Sequence, residues 1–338
     1  MSDRSQTSPA DDLSQMITGY WVSQCVYVAA KLGLADLLAN GPRTAAELAE
    51  ATASQTDPLY RVLRALASVG VFAEDDAGRF ALTPLAERLR SDVPGSQRAF
   101  AIMMGEEQYH VWGDLIDAVQ TGRNAFQRIY HMPIFEFLQR NPEKGKTFDA
   151  AMVGIHGRET GALADAYDFS GIRTLADVGG GNGSLLRGIL ERNPSLQGIL
   201  YDLPAVVERA RPAIEGAGLA ERCRTVAGNF FESVPAGADA YIMRHIIHDW
   251  DDAECLTILG HCRAAMPADG RLLVVESIIP PGNEPCVGKL LDLTMLLMPG
   301  GRERTEEQYR ALFASAGFEL VRVVPTATEV SVLESRPV

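Results

Sequence analysis

From Ile172 onward, short apolar runs rich in Val, Ile and Leu alternate with stretches in which apolar residues recur every three or four positions. That alternation predicts strands separated by helices, and hence an α/β fold with a parallel sheet wound on both faces. The strand candidates are 173–178, 197–202, 224–227, 239–243 and 271–276. Near the end, Phe318 to Val324 and Glu329 to Leu333 have no helical pattern between them. They are expected to pair antiparallel at one edge, which brings the sheet to seven strands.

The N-terminal part has a different period. Residues 1–12 are polar and acidic and read as a disordered leader without the pattern of a signal peptide. Ile17, Trp21, Val28, Leu32, Leu34 and Leu37 then recur at roughly helical spacing until Gly41-Pro42 stops the helix, with Trp21 expected in its core. Thr44-Ala45-Ala46-Glu47 is a capping box opening a second helix, and Asp57-Pro58 opens a third that carries Leu59, Val62, Leu63, Leu66 and Val69. Val71 to Glu74 and Arg79 to Leu82 flank a turn ending in Gly78, which predicts a hairpin. Three helices and a β-wing make a winged helix over 13–96. A helical connector interrupted near Pro133 and Pro142 follows over 97–167, and the sheet domain occupies 168–338.

Composition supports buried cores throughout, with 46% hydrophobic and 22% charged among 338 residues. The most apolar window, 290–298, is too short to span a bilayer and contains Asp292. Five cysteines, an odd number without a C-x-x-C pair, argue against a disulfide framework or a zinc site and fit a reducing cytoplasm. A winged helix raises the prospect of DNA binding. Its third helix, however, offers only Arg61 and Arg64, and a net charge of −13 repels a phosphate backbone.

Candidate chemistry begins at Asp177-Val178-Gly179-Gly180-Gly181-Asn182-Gly183, between the run Thr174-Leu175-Ala176 and the helical pattern from Ser184. A dinucleotide fingerprint fails in register, because its third glycine falls on Ser184 or Leu186. A P-loop fails because no lysine follows Gly183. An acid-x-Gly-x-Gly-x-Gly pattern remains, and Asp202 at the tip of the next strand candidate is placed to accept both hydroxyls of a ribose. Together they suggest a nucleoside ligand without a phosphate. The structural alternative is a tight turn at the glycines and a helix cap at Asp202 before Pro204.

With this loop, with Ala238-Asp239-Ala240-Tyr241-Ile242-Met243-Arg244-His245-Ile246-Ile247-His248-Asp249-Trp250-Asp251-Asp252 and with Gly300-Gly301-Arg302-Glu303-Arg304-Thr305, the chain resembles the class I S-adenosylmethionine-dependent methyltransferases. Among them it is similar to the plant caffeate and acetylserotonin O-methyltransferase family and its bacterial natural-product relatives. The resemblance implies a Rossmann-like methyltransferase sheet behind a mainly α winged-helix dimerisation domain. It also implies an intertwined homodimer, S-adenosyl-L-methionine as donor with S-adenosyl-L-homocysteine as product, a small aromatic substrate and no metal. Matched residue by residue, His248 falls on the family's catalytic base, and Glu276 and Glu303 on the two glutamates behind it. Gly179, in the loop with Asp177 and Gly181, falls at the methionine end of the cofactor, Asp202 at the ribose, Asn229 and Phe230 at the adenine, and Arg244 near both. Asn229 stands where the family commonly has Asp, so its bond to the adenine amino group is expected to be weaker; Arg244 stands where the plant enzymes have Lys. Tyr109, Met152, Asp292, Met295 and Met298 fall where the family lines its substrate pocket, and Tyr20 and Trp21 are candidates to reach a partner subunit.

A phenol with a pKa near 10 is ionised to about 0.1% at neutral pH, a deficit of roughly 4 kcal/mol that a positioned base offsets. An imidazole serves as that base when its other nitrogen is held by an acceptor. His248 lies just past the C-terminal end of strand candidate 239–243, the edge where ligands sit in open α/β sheets. Asp249 and Asp252 leave a second reading, in which His248 only starts a helix, and His245 reads as structural. His245, His248, Asp249, Asp251 and Asp252 also form a possible metal set, which the family does not use. Two rival functions stand beside O-methyl transfer: a cofactor-retaining relative that decarboxylates or hydroxylates an aromatic polyketide, and a winged-helix regulator with a metabolite-sensing domain.

Overall fold

The computed structural model describes residues 8–338. The chain forms two compact units, one of Met1–His110 with Glu143–Ile155 and one of Val111–Pro142 with His156–Val338. The stretch expected as a connector is thus divided between them. Residues 1–7 of the expected leader lie outside the described residues, but its remainder is ordered: a helix runs Pro9–Lys31. Ser8 caps it by accepting from the Asp11 amide, Asp11 returns the bond, and Pro9 fills the first position. That capping box is a local start signal which the polar composition of the stretch obscures.

In the first unit the leading helix stops at Lys31, ten residues before the expected stop at Gly41, because Gly33 adopts a left-handed φ of 67° and turns the chain into the short helix Leu34–Leu37. Thr44 and Glu47 cap the helix Ala45–Ala51 as their spacing predicts, and the next helix runs Thr56–Ser68. Strands β1 (Arg43–Thr44), β2 (Phe72–Glu74) and β3 (Arg79–Leu82) form an antiparallel sheet in the order β1-β3-β2. Leu34, Leu48, Leu63, Leu66, Phe72 and Phe80 make the core. Trp21 is outside it at 60% exposure, contrary to expectation. Leu13, Met16, Ile17 and Tyr20, spaced as one helix face, are exposed beside it, and only the end of this helix, at Ala29 and Ala30, is buried.

The second unit carries β4 (Thr174–Val178), β5 (Gln197–Asp202), β6 (Cys223–Ala227), β7 (Ala240–Arg244), β8 (Arg271–Ser277), β9 (Phe318–Pro325) and β10 (Val330–Pro337). They form one sheet in the order β6-β5-β4-β7-β8-β10-β9. β4 to β8 pair in parallel, and β10 runs antiparallel to both β8 and β9. β10 extends four residues past its predicted end, through an irregularity at Glu334/Ser335 where its register with β9 shifts.

Alternate strand residues face opposite layers, as a sheet covered on both sides requires. Ala176, Tyr241, Met243 and Val274 pack on helices Asp252–Ala265 and Glu306–Ser315, whereas Leu175, Ile242, Leu273 and Val275 pack with Leu186 and Ile189 of helix Ser184–Arg192 and Ile214 of helix Pro204–Gly216. From β4 the chain proceeds outward through β5 and β6, then returns to the other side of β4 as β7. The order therefore reverses beside β4, and the crevice beyond the strand ends at such a reversal is where α/β sheets bind ligands. No helix among the described residues is long and apolar enough to cross a membrane.

Leu186 is fully buried in the layer beneath this crevice. Leu186→Ala is expected to lower unfolding free energy by about 2–5 kcal/mol in urea denaturation, since the closely packed layer leaves a cavity.

Candidate active site

β7 ends at Arg244, and the chain passes His245 into a short 3-10 turn, Ile247–Asp249, before helix Asp252–Ala265 begins. Asp251 caps that helix, accepting from the Glu254 amide, so the helix start does not call on His248. His248 is buried in the turn, and Nδ1 lies 2.7 Å from Glu303 Oε1 and 3.4 Å from Glu276 Oε2. Glu276, one residue before the end of β8, has no exposed surface, and its Oε1 accepts from the amides of Ile246 (3.1 Å) and His248 (3.3 Å). The other ring nitrogen, Nε2, has Asp249 Oδ1 at 3.6 Å, too far for a hydrogen bond.

Burial disfavours the charged ring, but Glu276, Asp249 and Glu303 outweigh it and raise the His248 pKa to about 10. Burial pushes the Asp249 carboxyl up to about 7. Glu276 is lowered: burial opposes its charge, and the two imidazoles with the His248 amide overcome that penalty.

Gly300-Gly301-Arg302-Glu303-Arg304 brings Glu303 to the ring by close backbone packing. A Cβ on Gly301 would stand 2.1 Å from the His248 carbonyl oxygen and 2.4 Å from the Trp250 nitrogen. The Arg302 amide donates to that same carbonyl at 2.8 Å, and the Glu303 amide donates to Asp292 Oδ1 at 2.8 Å. Arg304 is buried and donates to the carbonyls of Ile247 and Trp250 and to Asp252 Oδ1. It braces the turn from behind, a part that sequence reasoning missed although the residue stands inside the quoted motif. Asp292 thus holds the Glu303 backbone, and Met295 and Met298 are buried, Met298 in a core with Phe126 and Ile134. Tyr109 and Met152 belong to the first unit.

The glycine loop spends its amides on the end of β5 and on itself. Gly179 and Gly180 donate to the Tyr201 carbonyl, Gly181 to Asp202 Oδ2 at 2.8 Å, Gly183 to Gly180 and Ser184 to Asn182 Oδ1. Little donor capacity remains for a phosphate. What the loop offers is acceptors: Asp202 also takes the Leu203 amide at 2.7 Å, and helix Pro204–Gly216 starts without a side-chain cap. Asp177 is buried with Oδ2 lacking a hydrogen-bond partner, and burial lifts its pKa to about 7. Gly181, at φ 58°, has open space where a Cβ would project, whereas Gly179 packs under Ile246 with the Phe230 ring 3.5 Å from its Cβ position.

Phe230 stands edge-on to Trp250, and Asn229 Oδ1 accepts from the Phe231 amide at 3.0 Å, so an adenine amino group would share that oxygen. Arg244 is partly buried and donates to Thr160 Oγ1 at 3.1 Å, with Glu159 Oε2 at 3.7 Å. A donor-rich, phosphate-free ligand such as an adenosine fits these acceptors. Of the possible metal set, Asp251 serves as a cap and Asp252 pairs with Arg304; His245 instead meets Glu159 and His156, which sequence reasoning did not single out.

Five parallel strands closed by an antiparallel pair, with the crevice at β4 and a base candidate beyond β7, define a class I methyltransferase. The O-methyltransferase domain family matches residues 112–319, and the O-methyltransferase dimerisation domain matches residues 14–92. The chain belongs to this O-methyltransferase family. It is similar to the phenazine O-methyltransferase of Lysobacter antibioticus, 49% identical over 326 residues and 96% of each chain. It is also similar to the 8-amino-8-demethylriboflavin N,N-dimethyltransferase of Streptomyces davaonensis, 37% identical over 99% of this chain and 97% of that one. The crystal structure of human N-acetylserotonin methyltransferase in complex with S-adenosylmethionine superposes with a TM-score of 0.90 at 27% identity over 99% of each chain.

Gly301→Ala is expected to separate the Gly-Gly-Arg-Glu loop from the His248 turn, because the clash is with backbone. A destabilisation of about 3 kcal/mol in denaturant titration, at the upper end for overpacking, with loss of activity, is the expected outcome.

Proposed function

We propose that the protein transfers a methyl group from S-adenosyl-L-methionine to a hydroxyl oxygen of a small aromatic acceptor, with His248 as general base. The observation that carries this reading is the imidazole pinned at Nδ1 by Glu303, which leaves Nε2 for the acceptor's proton. When bound, the cofactor supplies an electrophilic methyl on a positively charged sulfonium and leaves as S-adenosyl-L-homocysteine. Asp202 accepts the ribose hydroxyls, Phe230 packs against the adenine, Asn229 Oδ1 accepts from its amino group, and Gly181 leaves the space that a side chain would fill. His248 Nε2 takes the proton as the acceptor oxygen forms its new bond to carbon, and Glu276 and Glu303 stabilise the imidazolium that results. The phenazine, aminoriboflavin and acetylserotonin substrates named for the relatives are all flat aromatics, which supports an aromatic acceptor here.

The dimerisation-domain match supports a homodimer. The apolar face of Leu13, Met16, Ile17 and Tyr20, with Trp21 beside it, is the surface proposed to meet the partner. Ile17→Glu is expected to shift the protein from dimer to monomer in sedimentation velocity.

Titration calorimetry of S-adenosyl-L-methionine tests the cofactor site, with binding expected for the wild type and lost in Asp202→Ala. A pH–rate profile tests the base. Because the His248 pKa is raised, its proton is held to higher pH, so kcat/KM for a phenolic acceptor should climb through and beyond neutrality. His248→Gln should lower kcat by about 10²–10⁴. A flat profile between pH 6 and about 9, or full activity in His248→Gln, would sink the base assignment.

A further inference from the structure

The second imidazole of the cluster, His245, lies partly buried between two carboxylates. Its Nε2 lies 3.0 and 3.2 Å from the Glu159 oxygens, and its Nδ1 lies 3.6 Å from Glu276 Oε2. The same Glu276 oxygen is 3.4 Å from Nδ1 of His248, and the two ring centroids are 5.1 Å apart. The backbone of His245 is held at φ 55°, a left-handed conformation unfavourable for histidine, which persists only where the surroundings impose it. We propose that His245 is a positioning residue for the transfer: as a partly buried cation clamped by Glu159, it shares Glu276 with His248 and so lowers the pH at which His248 gives up its proton. This inference rests on the reading of His248 as the base.

Most charged groups facing the pair favour this arrangement. On helix Pro142–Ala166, Glu159 anchors His245, and the His156 ring stacks on it with centroids 4.1 Å apart. Burial and the positive charges of His245, Arg244 and His248 hold His156 neutral, so it presents a π-face to a cation and not a second charge. Arg244, the preceding residue, lies 3.7 Å from Glu159 and competes for it. Glu159 and Glu276 together outweigh burial and raise the His245 pKa. On the far side, His248 faces Glu276, Glu303 and Asp249, while the buried Tyr309 phenol stays neutral beside Glu276 and Glu303. Against three carboxylates, His245 is the cation placed to draw Glu276 off His248.

The test compares histidine titrations by NMR on the isotope-labelled full-length protein, with His248→Gln used for assignment among the six histidines. The neutral His245→Asn variant suits the left-handed backbone. Its His248 midpoint should rise by about one pH unit, and the ascending limb of kcat/KM should rise with it. Activity at neutral pH would fall roughly tenfold and recover in alkaline buffer. His245→Lys, which keeps the charge, should leave the midpoint near that of the wild type. Glu159→Gln, which leaves the strained backbone in place, should lower the midpoint of His245 itself. An unchanged His248 midpoint in His245→Asn, a uniform loss of rate at every pH, or an unmoved His245 midpoint in Glu159→Gln would overturn the proposal. Full activity in His248→Gln would instead remove the base assignment, and the NMR midpoints would still decide whether His245 governs the proton on His248.

Discussion

Glu276 lies one residue before the end of β8 with no exposed surface, and a carboxylate in that position costs several kcal/mol unless partners replace its water. The partners all come from one short segment: the amides of Ile246 and His248 and the imidazoles of His245 and His248. The chain after β7 therefore cannot run straight into a helix. It has to fold back over the end of β8, and the left-handed His245 and the 3-10 turn are the backbone's means of doing so. Glu303 repeats the constraint from the other side. Its approach to His248 requires a residue without Cβ at 301, a fully buried arginine at 304 and an aspartate at 292 to hold its own amide.

The sheet connects this charged cluster to the glycine loop. β4 and β5 end in the loop and Asp202, and β7 and β8 end in the two imidazoles and Glu276. The reversal of strand order beside β4 sets these two groups on either side of it, with acceptors on one side and a pinned imidazole on the other. Arg244, reaching Thr160 and Glu159, stands between them. Because the loop amides are already spent on Tyr201, Gly180 and Asp202, the glycine-loop side suits a ligand that donates.

Where the sequence misled, a local signal was outweighed by something else. The polar stretch before Leu13 contains a capping box and a first-position proline, and these organise a helix that composition alone would not predict. Trp21 follows helical spacing with Val28 and Leu32, yet the early turns of that helix are left uncovered by the described chain, so periodicity placed it on a face without identifying what covers the face. Gly33 stopped the helix early because a residue free to take positive φ ends a helix wherever packing favours the turn.

The sequence by itself determined the alternation of strands and helices, the antiparallel closing pair, the phosphate-free character of the glycine loop and the residues of the two signatures. Each of those rests on spacing within one element or one turn. Only the tertiary structure decided that His248 and Glu303, 55 residues apart, meet at Nδ1, that Glu276 accepts an amide 28 residues away and serves two imidazoles, and that Glu159 anchors His245 across 86 residues. Periodicity records which face of an element is buried; it does not record which buried charges lie within reach of one another, because that depends on strand order and on the backbone's path between strand ends.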